Sequence, residues 1–471
     1  MKENYLLKNA TAVEIYDDVK DLPILDYHCH LSPKEIYEDK VFSNIGEMWL
    51  GGDHYKWRLM RQAGVDEKYI TGNASWRDKF KKYAEVVSLS VGNPLYSWSK
   101  MELSMYFGID TPLNAKTADE IFDTAQKYIE ENQLSPRKLI EKSNVKYICT
   151  TDDPADTLEW HVKIKRDKNF STVVVPAFRP DNLLNIQSPD FAEYIKKFGD
   201  RNGVLINSMK NLRMVIRMSI DDFVDMGCSF SDVGIEYFPS RVYSREEASD
   251  VFWKALKGEP ISDAEKDVYV GYMFNFLAGE YKKKNITMQL HLAAARNVNS
   301  ALFNECGKDV GGDCIGDAVS GQALINYLDT INSKNKLPHT IIYTLNPQMN
   351  AQLASICGSY REVVPGAAWW FCDNKRGIEE VLRTMAETSY FTSFMGMITD
   401  SRSFLSYARH DYFRRILSEV LAEWVEEEDY PLSDAKLIAR KICFQNVDDV
   451  IEPQVTDYLG RRIKKLYQNN D

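Results

Sequence analysis

The sequence predicts an α/β fold, a (β/α)₈ TIM-like barrel with a helical subdomain inserted between the first and second strands. Short β-rich runs alternate with longer amphipathic stretches along most of the 471 residues, which is typical of a parallel sheet with helical crossovers. Eight of these runs are strand candidates. The first two are separated by about 110 residues with almost no strand signal, a large surplus because an ordinary barrel needs roughly 250 residues in all.

The eight strand candidates divide the chain into three parts. In chain order they are LPILDYHCH, NVKYICTTDDP, STVVVPAFRPD, SDVGIEYFP, NITMQLHL, PHTIIYTLNP, PGAAWWFCD and SFMGMITDS. Residues 1–34 are expected to form an N-terminal segment with the first strand, and residues 35–143 the inserted helical subdomain. Residues 144–471 are expected to supply the remainder of the barrel and the C-terminal helices.

Helix start signals support the helical interpretation of the insert. Thr117 and Glu120 stand at the spacing of a capping box, and Pro136 follows Ser135, a residue type that favours the N-cap position. A long helical stretch, ISDAEKDVYVGYMFNFLAGEYKKKN, precedes the fifth strand candidate, and the chain is predicted to be helical from about Tyr407 to its end.

Composition narrows the classes of partner. A hydrophobic content of 44% is enough for a large buried core. The formal net charge of −11, with no long basic stripe, argues against nucleic acid and anionic membranes as partners. The sequence also contains no signal-type or membrane-spanning apolar segment, so we expect a cytoplasmic protein. Its eight scattered cysteines form no CxxC pair, which favours reduced thiols over a zinc ribbon.

The first strand carries a candidate metal-binding motif. Because side chains alternate along a strand, Asp26, His28 and His30 share one face. The two histidines lie about 6 to 7 Å apart by Cα, so both imidazoles can reach one ion. Ser32 and Pro33 then signal a helix start, which places the histidines at the carboxyl end of the strand, where barrels carry their chemistry. A pair of hydrogen-bonded core histidines is the alternative, and the spacing alone does not decide.

A third candidate ligand comes from the far end of the chain. Asp400 ends the last strand candidate, and the last strand of a closed barrel lies beside the first. Two histidines and one carboxylate fit a single divalent ion, with zinc as the first choice and manganese or ferrous iron as alternatives.

With these residues, the chain resembles the amidohydrolase superfamily, through DYHCH in the first strand, His291 at the end of the fifth and Asp400 at the end of the eighth. More specifically it resembles the uronate isomerases. The matching stretches run from about residue 21 to residue 445 and are DYHCHLSP, GGDHYKWRLMRQAGV, GNPLYSW, TTDDPADTLEWH, RPD, MQLH, TLNP and ITDSRSFLSYARHDYFRRIL.

The resemblance implies an aldose–ketose isomerase that acts on a small hexuronate. Such an enzyme interconverts D-glucuronate with D-fructuronate and D-galacturonate with D-tagaturonate, by proton transfer between carbon 2 and carbon 1 through a cis-enediol at one metal ion. Barrels of this type often self-associate, so a homo-oligomer is expected. The resemblance also implies that His54 binds substrate and that Tyr55 is the base or proton relay, with a pKa lowered by neighbouring cations. On composition alone, both residues are equally suited to capping a helix.

Two arginines are candidates for handling the substrate. Arg402 follows Asp400 by two residues and is expected to contact substrate and to act with Tyr55 in proton transfer and enediol stabilisation. A surface salt bridge is its alternative role. Arg179 ends the third strand candidate and is expected to bind the substrate carboxylate or a hydroxyl, which is compatible with a role in starting the loop at Pro180.

Further site residues rest mainly on the resemblance. His291 is a candidate substrate or metal-site neighbour, although a lone strand histidine is equally suited to the core, and it is with Asp400 an alternative base. Trp369 and Trp370 should face opposite sides of their strand, so at most one lines the sugar pocket; the resemblance favours Trp370. Asp373 is expected to cap the following helix, and orientation of a substrate hydroxyl is its alternative role.

A hydrolase or deaminase of the same superfamily is the alternative function. A two-metal hydrolase would need a bridging carboxylate, often a carbamylated lysine, at the end of the fourth strand and a histidine at the end of the sixth. SDVGIEYFP has no lysine, His339 stands at the start of its strand, and HLAAARN lacks the glutamate acid of a deaminase. A third possibility is a non-catalytic relative that only binds a metal or a sugar. Loss of His28, Asp400 or Arg402 would indicate such a protein, and all three residues are present.

Overall fold

A curved sheet of seven parallel strands organises the computed structural model, which describes residues 2–459. The strands of the described chain are β1 (Ile24–Asp26), β2 (Val145–Asp152), β3 (Val173–Phe178), β4 (Phe230–Ile235), β5 (Thr287–Leu292), β6 (Ala294–Ala295), β7 (Cys314–Ile315), β8 (Thr340–Thr344) and β9 (Val363–Pro365). The large sheet has the order β1-β2-β3-β4-β5-β8-β9, and β6 pairs with β7 in a separate antiparallel ribbon.

The strand register brings the carboxyl ends of the strands together. Asp152 at the end of β2 pairs with Phe178 at the end of β3, and Ile235 of β4 pairs with Leu292 of β5.

The sequence correctly predicts six of the seven strands. The seventh, β9, lies just before most of the predicted run PGAAWWFCD, at Val363–Pro365.

The eighth predicted strand is not a strand in the structure. Residues 393–401 form an irregular stretch, because Gly396 (φ 73°) and Asp400 (φ 44°) adopt left-handed backbone conformations that interrupt a regular ladder. Single hydrogen bonds nevertheless join this stretch to the residues after β1. The Asp400 N–H donates to the His28 carbonyl oxygen at 3.2 Å, and the His30 N–H donates to that of Ser401 at 3.0 Å.

The chain between β1 and β2 is helical, as the sequence predicts. The first helices are α1 (Ala10–Val19), α2 (Pro33–Glu38), α3 (Ile45–Leu50), α4 (His54–Gln62), α5 (Trp76–Ser88), α6 (Pro94–Phe107), α7 (Ala118–Asn132) and α8 (Pro136–Lys142). The Ser32 side chain caps α2 as expected. The capping box expected at Thr117 is wrong, because the Thr117 hydroxyl donates instead to the Pro112 carbonyl oxygen at 2.6 Å.

The remaining helices alternate with the later strands and then end the described chain. They are α9 (Glu159–Arg166), α10 (Asp181–Leu184), α11 (Phe191–Arg201), α12 (Met209–Asp225), α13 (Arg245–Leu256), α14 (Asp263–Lys284), α15 (Ser300–Cys306), α16 (Gly321–Ser333), α17 (Asn350–Cys357), α18 (Lys375–Thr388), α19 (Ala408–Glu427), α20 (Leu432–Arg440) and α21 (Asn446–Leu459). The part of the predicted C-terminal helical region beyond residue 459 lies outside the described residues.

The buried apolar side chains form two clusters on the sheet. One joins β1, β2 and β3 to the helices between β1 and β2 and to α19, and the other packs α12 and α14 against β4 and β5. Within residues 2–459, no helix combines the length and the hydropathy that crossing a bilayer requires.

The stretch that carries Asp400 should tolerate a side chain at Gly396 poorly. A Cβ at this left-handed residue would overlap the backbone carbonyl oxygen of Ile442, whereas Gly92, also left-handed (φ 81°), has open space around its Cα. We expect Gly92→Ala to lower the free energy of unfolding by about 1 to 2 kcal/mol. Gly396→Ala should cost about 1 to 3 kcal/mol more, measured by urea denaturation. Equal losses in the two variants would show that the stretch can move away from Ile442.

Candidate active site

The carboxyl ends of the strands open into a cavity of about 700 Å³. Most of the site residues expected from the sequence line it: His28, His30, His54, Arg179, His291, Trp370, Asp400 and Arg402. Tyr55 does not line the cavity. Its ring stacks against that of His54, which does, with the ring centroids 5.1 Å apart. The cavity thus gathers side chains from the segments that follow β1, β3 and β9, from β5 and α4, and from the stretch after residue 393.

The two histidines after β1 and Asp400 point at one another. Oδ1 of Asp400 lies 3.2 Å from Nε2 of His28 and 3.1 Å from Nε2 of His30. Two ligands bound to zinc at about 2.0 to 2.1 Å in a tetrahedral arrangement are about 3.3 Å apart. The three donor atoms therefore have the chemistry and the separations that one divalent ion requires.

The protonation of Asp400 and His30 also suits a metal ligand, whereas Asp232 and Asp400 raise the pKa of His28 against the effect of burial, so that a metal ion competes with a proton at His28. Burial alone would raise the pKa of the Asp400 carboxyl, but its contacts with His28 and His30 outweigh burial and hold the pKa well below its usual range. Burial lowers the pKa of His30 to about 4, although Asp400 opposes this shift. At neutral pH Asp400 is thus ionised and His30 is neutral, which are the forms that bind a cation.

Asp232 is a site residue that sequence reasoning missed. It lies within β4 and is fully buried, with Oδ1 at 2.6 Å from Nδ1 of His291 and Oδ2 at 2.8 Å from Nη1 of Arg179. These neighbours and His28 lower the pKa of Asp232 against the effect of burial. An aspartate inside the apolar run SDVGIEYFP was the available signal.

Asp232 also completes a second donor group. Nδ1 of His28 lies 4.0 Å from Oδ2 of Asp232, and these two residues with His291 form a second set that could hold a metal ion. The guanidinium of Arg179 already neutralises Asp232, which disfavours a divalent cation at the same carboxylate. Of the two sets, the one around Asp400 is the better cation site.

The positive charge of Arg179 is balanced by more carboxylates than the sequence suggests. Its Nε atom lies 3.1 Å from Oδ2 of Asp181, in addition to the contact of Nη1 with Asp232. Two carboxylates therefore balance the charge that we expected to be available to the substrate. The side chain still lines the cavity and keeps about a fifth of its surface exposed.

The expected lowering of the Tyr55 pKa is wrong. Burial raises the pKa of Tyr55 well above its usual value, and Asp373 and Asp400 raise it further. The Tyr55 hydroxyl donates to Oδ2 of Asp373 at 3.3 Å, while the Arg409 guanidinium lies 5.0 Å from the ring centroid and opposes the shift only in part. Tyr55 is therefore a neutral phenol at physiological pH.

Arg402 contacts His54, the neighbour of Tyr55. Its Nη1 donates to Nδ1 of His54 at 3.0 Å, and its Nη2 lies 3.4 Å from Oδ2 of Asp309. Burial and the charge of Arg402 lower the pKa of His54, so its Nδ1 is free of a proton and accepts this hydrogen bond. The couple expected between Arg402 and Tyr55 is thus bridged by the His54 ring.

The tryptophan pair does not lie on a strand, and the prediction that at most one of the two lines the pocket is wrong. Trp370 begins a short 3₁₀ turn (Trp370–Cys372), and both side chains line the cavity. Trp369 packs edge-on against His291 at 4.7 Å, and Trp370 against His54 at 5.4 Å, between ring centroids.

Asp373 has a different role from the one expected. It does not cap α18, because the Asn374 side chain accepts the capping hydrogen bond from the Gly377 N–H. Asp373 is buried beside Tyr55 and Arg409, and burial raises its pKa to about 8.

The fold and the site together define a class of protein. The sheet is parallel and curved, and histidines, carboxylates and arginines surround one cavity at its carboxyl edge, which is typical of α/β proteins with a metal-type site at their strand ends. The family model described as glucuronate isomerase matches residues 1–451. The chain is therefore a member of the glucuronate isomerase family, and it is an isomerase.

Individual relatives agree with this assignment. The chain is 44% identical to the uronate isomerase of Caldanaerobacter subterraneus subsp. tengcongensis, over 98% of this chain and 99% of the relative. It is 45% identical to the uronate isomerase of Caldicellulosiruptor saccharolyticus, over 95% and 98% of the two chains. The crystal structure of uronate isomerase from Thermotoga maritima superposes with a TM-score of 0.92 at 33% identity, covering 96% and 99%.

The raised pKa of Asp373 predicts a pH-dependent stability. Between about pH 4 and about pH 8 the folded chain keeps the Asp373 proton that the unfolded chain has lost. The contribution of this group to the free energy of unfolding should therefore fall as pH rises, by up to about 1.4 kcal/mol per pH unit. Urea denaturation of the wild type and Asp373→Asn across this range should show the difference between them changing in that sense. A difference independent of pH would mean that Asp373 is ionised throughout.

Proposed function

We propose that this isomerase interconverts D-glucuronate with D-fructuronate and D-galacturonate with D-tagaturonate, with one divalent ion held by His28, His30 and Asp400. The observation that carries this proposal is the convergence of three metal-type donors at one wall of a polar cavity in a chain of the glucuronate isomerase family. Zinc suits the two imidazoles and one carboxylate best, with manganese and iron as alternatives.

The metal site and the arginines have complementary tasks in this proposal. His28, His30 and Asp400 would hold the ion, which would supply positive charge for oxygens of the open-chain uronate. Arg402, which lines the same cavity as Asp400, stabilises the negative charge that develops on an enediol oxygen. Arg179, His54 and Trp370 contact the remainder of the sugar. Because two carboxylates already balance Arg179, a substrate hydroxyl suits it better than the substrate carboxylate.

Tyr55 is proposed as the proton relay. Its neutral hydroxyl donates to Asp373, which leaves the lone pairs of the phenol oxygen to accept the proton from carbon 2. The phenol proton moves at the same time to the ionised form of Asp373, and the reverse transfer delivers a proton to carbon 1. The hydroxyl proton on oxygen 2 passes to oxygen 1, so that carbon 1 becomes the alcohol and carbon 2 the ketone. His291 and Asp400 are the alternative bases. Nδ1 of His291 is engaged with Asp232 and its Nε2 has no hydrogen-bond partner in the described chain.

The rest of the predicted organisation fits this function. We propose that residues 393–401 occupy the place of the eighth strand and close a full (β/α)₈ barrel, and that residues 35–143 form an inserted subdomain that brings His54 and Tyr55 to the site. We also propose a cytoplasmic homo-oligomer whose partner is the hexuronate, without nucleic acid or membrane.

The rival hydrolase or deaminase has less support. A two-metal hydrolase would use the donor set of His28, Asp232 and His291 as well, and there the Arg179 guanidinium occupies the carboxylate. Conversion of an amide, ester or amino-purine with consumption of water would favour this rival.

Incubation with each uronate tests the activity directly. We expect ketose to form from D-glucuronate and from D-galacturonate, and Arg402→Met to lower kcat/KM by at least about 10²-fold because it removes charge stabilisation at the reacting oxygens. Arg440→Met is the matched control, since Arg440 pairs with Asp18 on the surface, and it should convert both sugars at the wild-type rate. Failure to convert either uronate would contradict the proposed function, and full activity of Arg402→Met would contradict the site assignment.

The Tyr55 hydroxyl should matter for the chemical step more than for binding. We expect Tyr55→Phe to lower kcat by about 10²- to 10⁴-fold with little change in KM, because the aromatic ring and its stacking on His54 are retained. For the wild type in deuterated water, substantial deuterium at carbon 1 of the ketose would exclude a metal-assisted hydride shift, whereas its absence is compatible with both routes, because a shielded base returns the same proton. An unchanged kcat in Tyr55→Phe would transfer the proton relay to another group.

A further inference from the structure

A buried pair of hydrogen bonds ties the stretch around Asp400 to the first strand. The carboxylate of Asp26, the last residue of β1, accepts from the Thr399 hydroxyl at 2.6 Å and from the Thr399 backbone N–H at 3.0 Å. Asp26 is fully buried and Thr399 is almost fully buried. Both oxygens of one carboxylate thus accept from a single residue that lies 373 positions away in the chain, and Oδ1 also lies 3.9 Å from Nε2 of His410.

This pair of bonds, which we call the Asp26–Thr399 clamp, sits directly before a backbone conformation that needs support. Asp400 has a φ of 44°, a left-handed conformation that is uncommon for a residue with a side chain. The backbone carbonyl groups of the residues before and after Asp400 also accept hydrogen bonds. Arg409 Nη1 donates to the Thr399 carbonyl oxygen at 2.8 Å, and the Ser401 carbonyl oxygen accepts from the His30 N–H at 3.0 Å.

The left-handed conformation decides where the Asp400 carboxylate points. With it, Oδ1 lies within 3.2 Å of both imidazole Nε2 atoms. A shift of Asp400 to an ordinary β conformation would reorient its side chain relative to the histidines, because the regular ladder would then alternate its faces differently. The clamp therefore acts on the donor set through the backbone, without contributing a donor atom itself.

We infer that Asp26 and Thr399 are positioning residues for the metal site, whose clamp holds Asp400 in the conformation that completes the donor set with His28 and His30. The inference rests on the proposed metal site and deepens it. Partners that orient metal ligands typically account for about 10- to 100-fold in metal affinity when they are replaced. Removing the clamp should therefore weaken metal binding in the folded protein, before any substrate is present.

The test measures zinc affinity by competition with a chromophoric chelator in the full-length protein. Thr399→Val removes the hydroxyl while keeping the shape of the side chain, and we expect its zinc affinity to fall by about 10- to 100-fold. Thr399→Ser keeps the hydroxyl and should bind zinc as the wild type does. Thr340→Val is the matched control, because Thr340 is equally buried, donates its hydroxyl to the Pro338 carbonyl oxygen at 2.9 Å and lies at the opposite end of β8 from the cavity.

The thermal unfolding midpoint of each metal-free variant separates positioning from a general loss of stability. The inference holds if Thr399→Val loses zinc affinity while its metal-free midpoint resembles that of Thr340→Val. Wild-type affinity in Thr399→Val would overturn it. If Thr399→Val fails to fold, the zinc affinity and the metal-free unfolding midpoint of Asp26→Asn test the inference in its place. A wild-type protein that converts uronates but binds no zinc, manganese or iron would instead overturn the proposed metal site.

Discussion

Oδ1 of Asp400 lies within hydrogen-bonding distance of His28 and His30, although 372 positions separate Asp400 from His28 in the chain. This contact joins the end of the first strand to the last stretch before α19, and the candidate site depends on it. The His54 and Arg402 side chains, which are hydrogen-bonded to each other, line the same cavity. Without this contact, the polar groups at the carboxyl edge of the sheet would not surround one candidate metal site.

Charge balance is the second constraint on the site. Asp232 and Asp400 are both buried and ionised, and each needs a positive partner. Arg179 serves Asp232. His28 lies near both carboxylates, which raise its pKa, whereas burial lowers the pKa of His291 and lowers that of His30 to about 4. A divalent ion beside Asp400 would replace the His28 proton as the positive partner of this carboxylate. The same reasoning explains why the donor set that contains Asp232 is the poorer cation site.

Local sequence patterns predict six strands of the large sheet, the paired histidines and the start of α2. These features depend on side-chain alternation and helix caps, which neighbouring residues determine. Partners from distant segments could not be obtained this way. The pKa of Tyr55 is raised mainly by burial, by Asp373 and by Asp400, and both carboxylates lie far from Tyr55 in the sequence. Trp369 and Trp370 were assigned to a strand because aromatic runs favour strands, whereas they follow β9 in a turn. Asp232 was overlooked because a buried aspartate becomes informative only once its partners are known.

The most direct test of the account is X-ray diffraction from crystals of the zinc-loaded protein, with data collected at the zinc absorption edge. The account predicts one anomalous peak at about 2.0 to 2.2 Å from Nε2 of His28, Nε2 of His30 and a carboxylate oxygen of Asp400, with Asp232 still bonded to Arg179. A peak between Asp232 and His291, or the absence of an ordered ion beside Asp400, would contradict it.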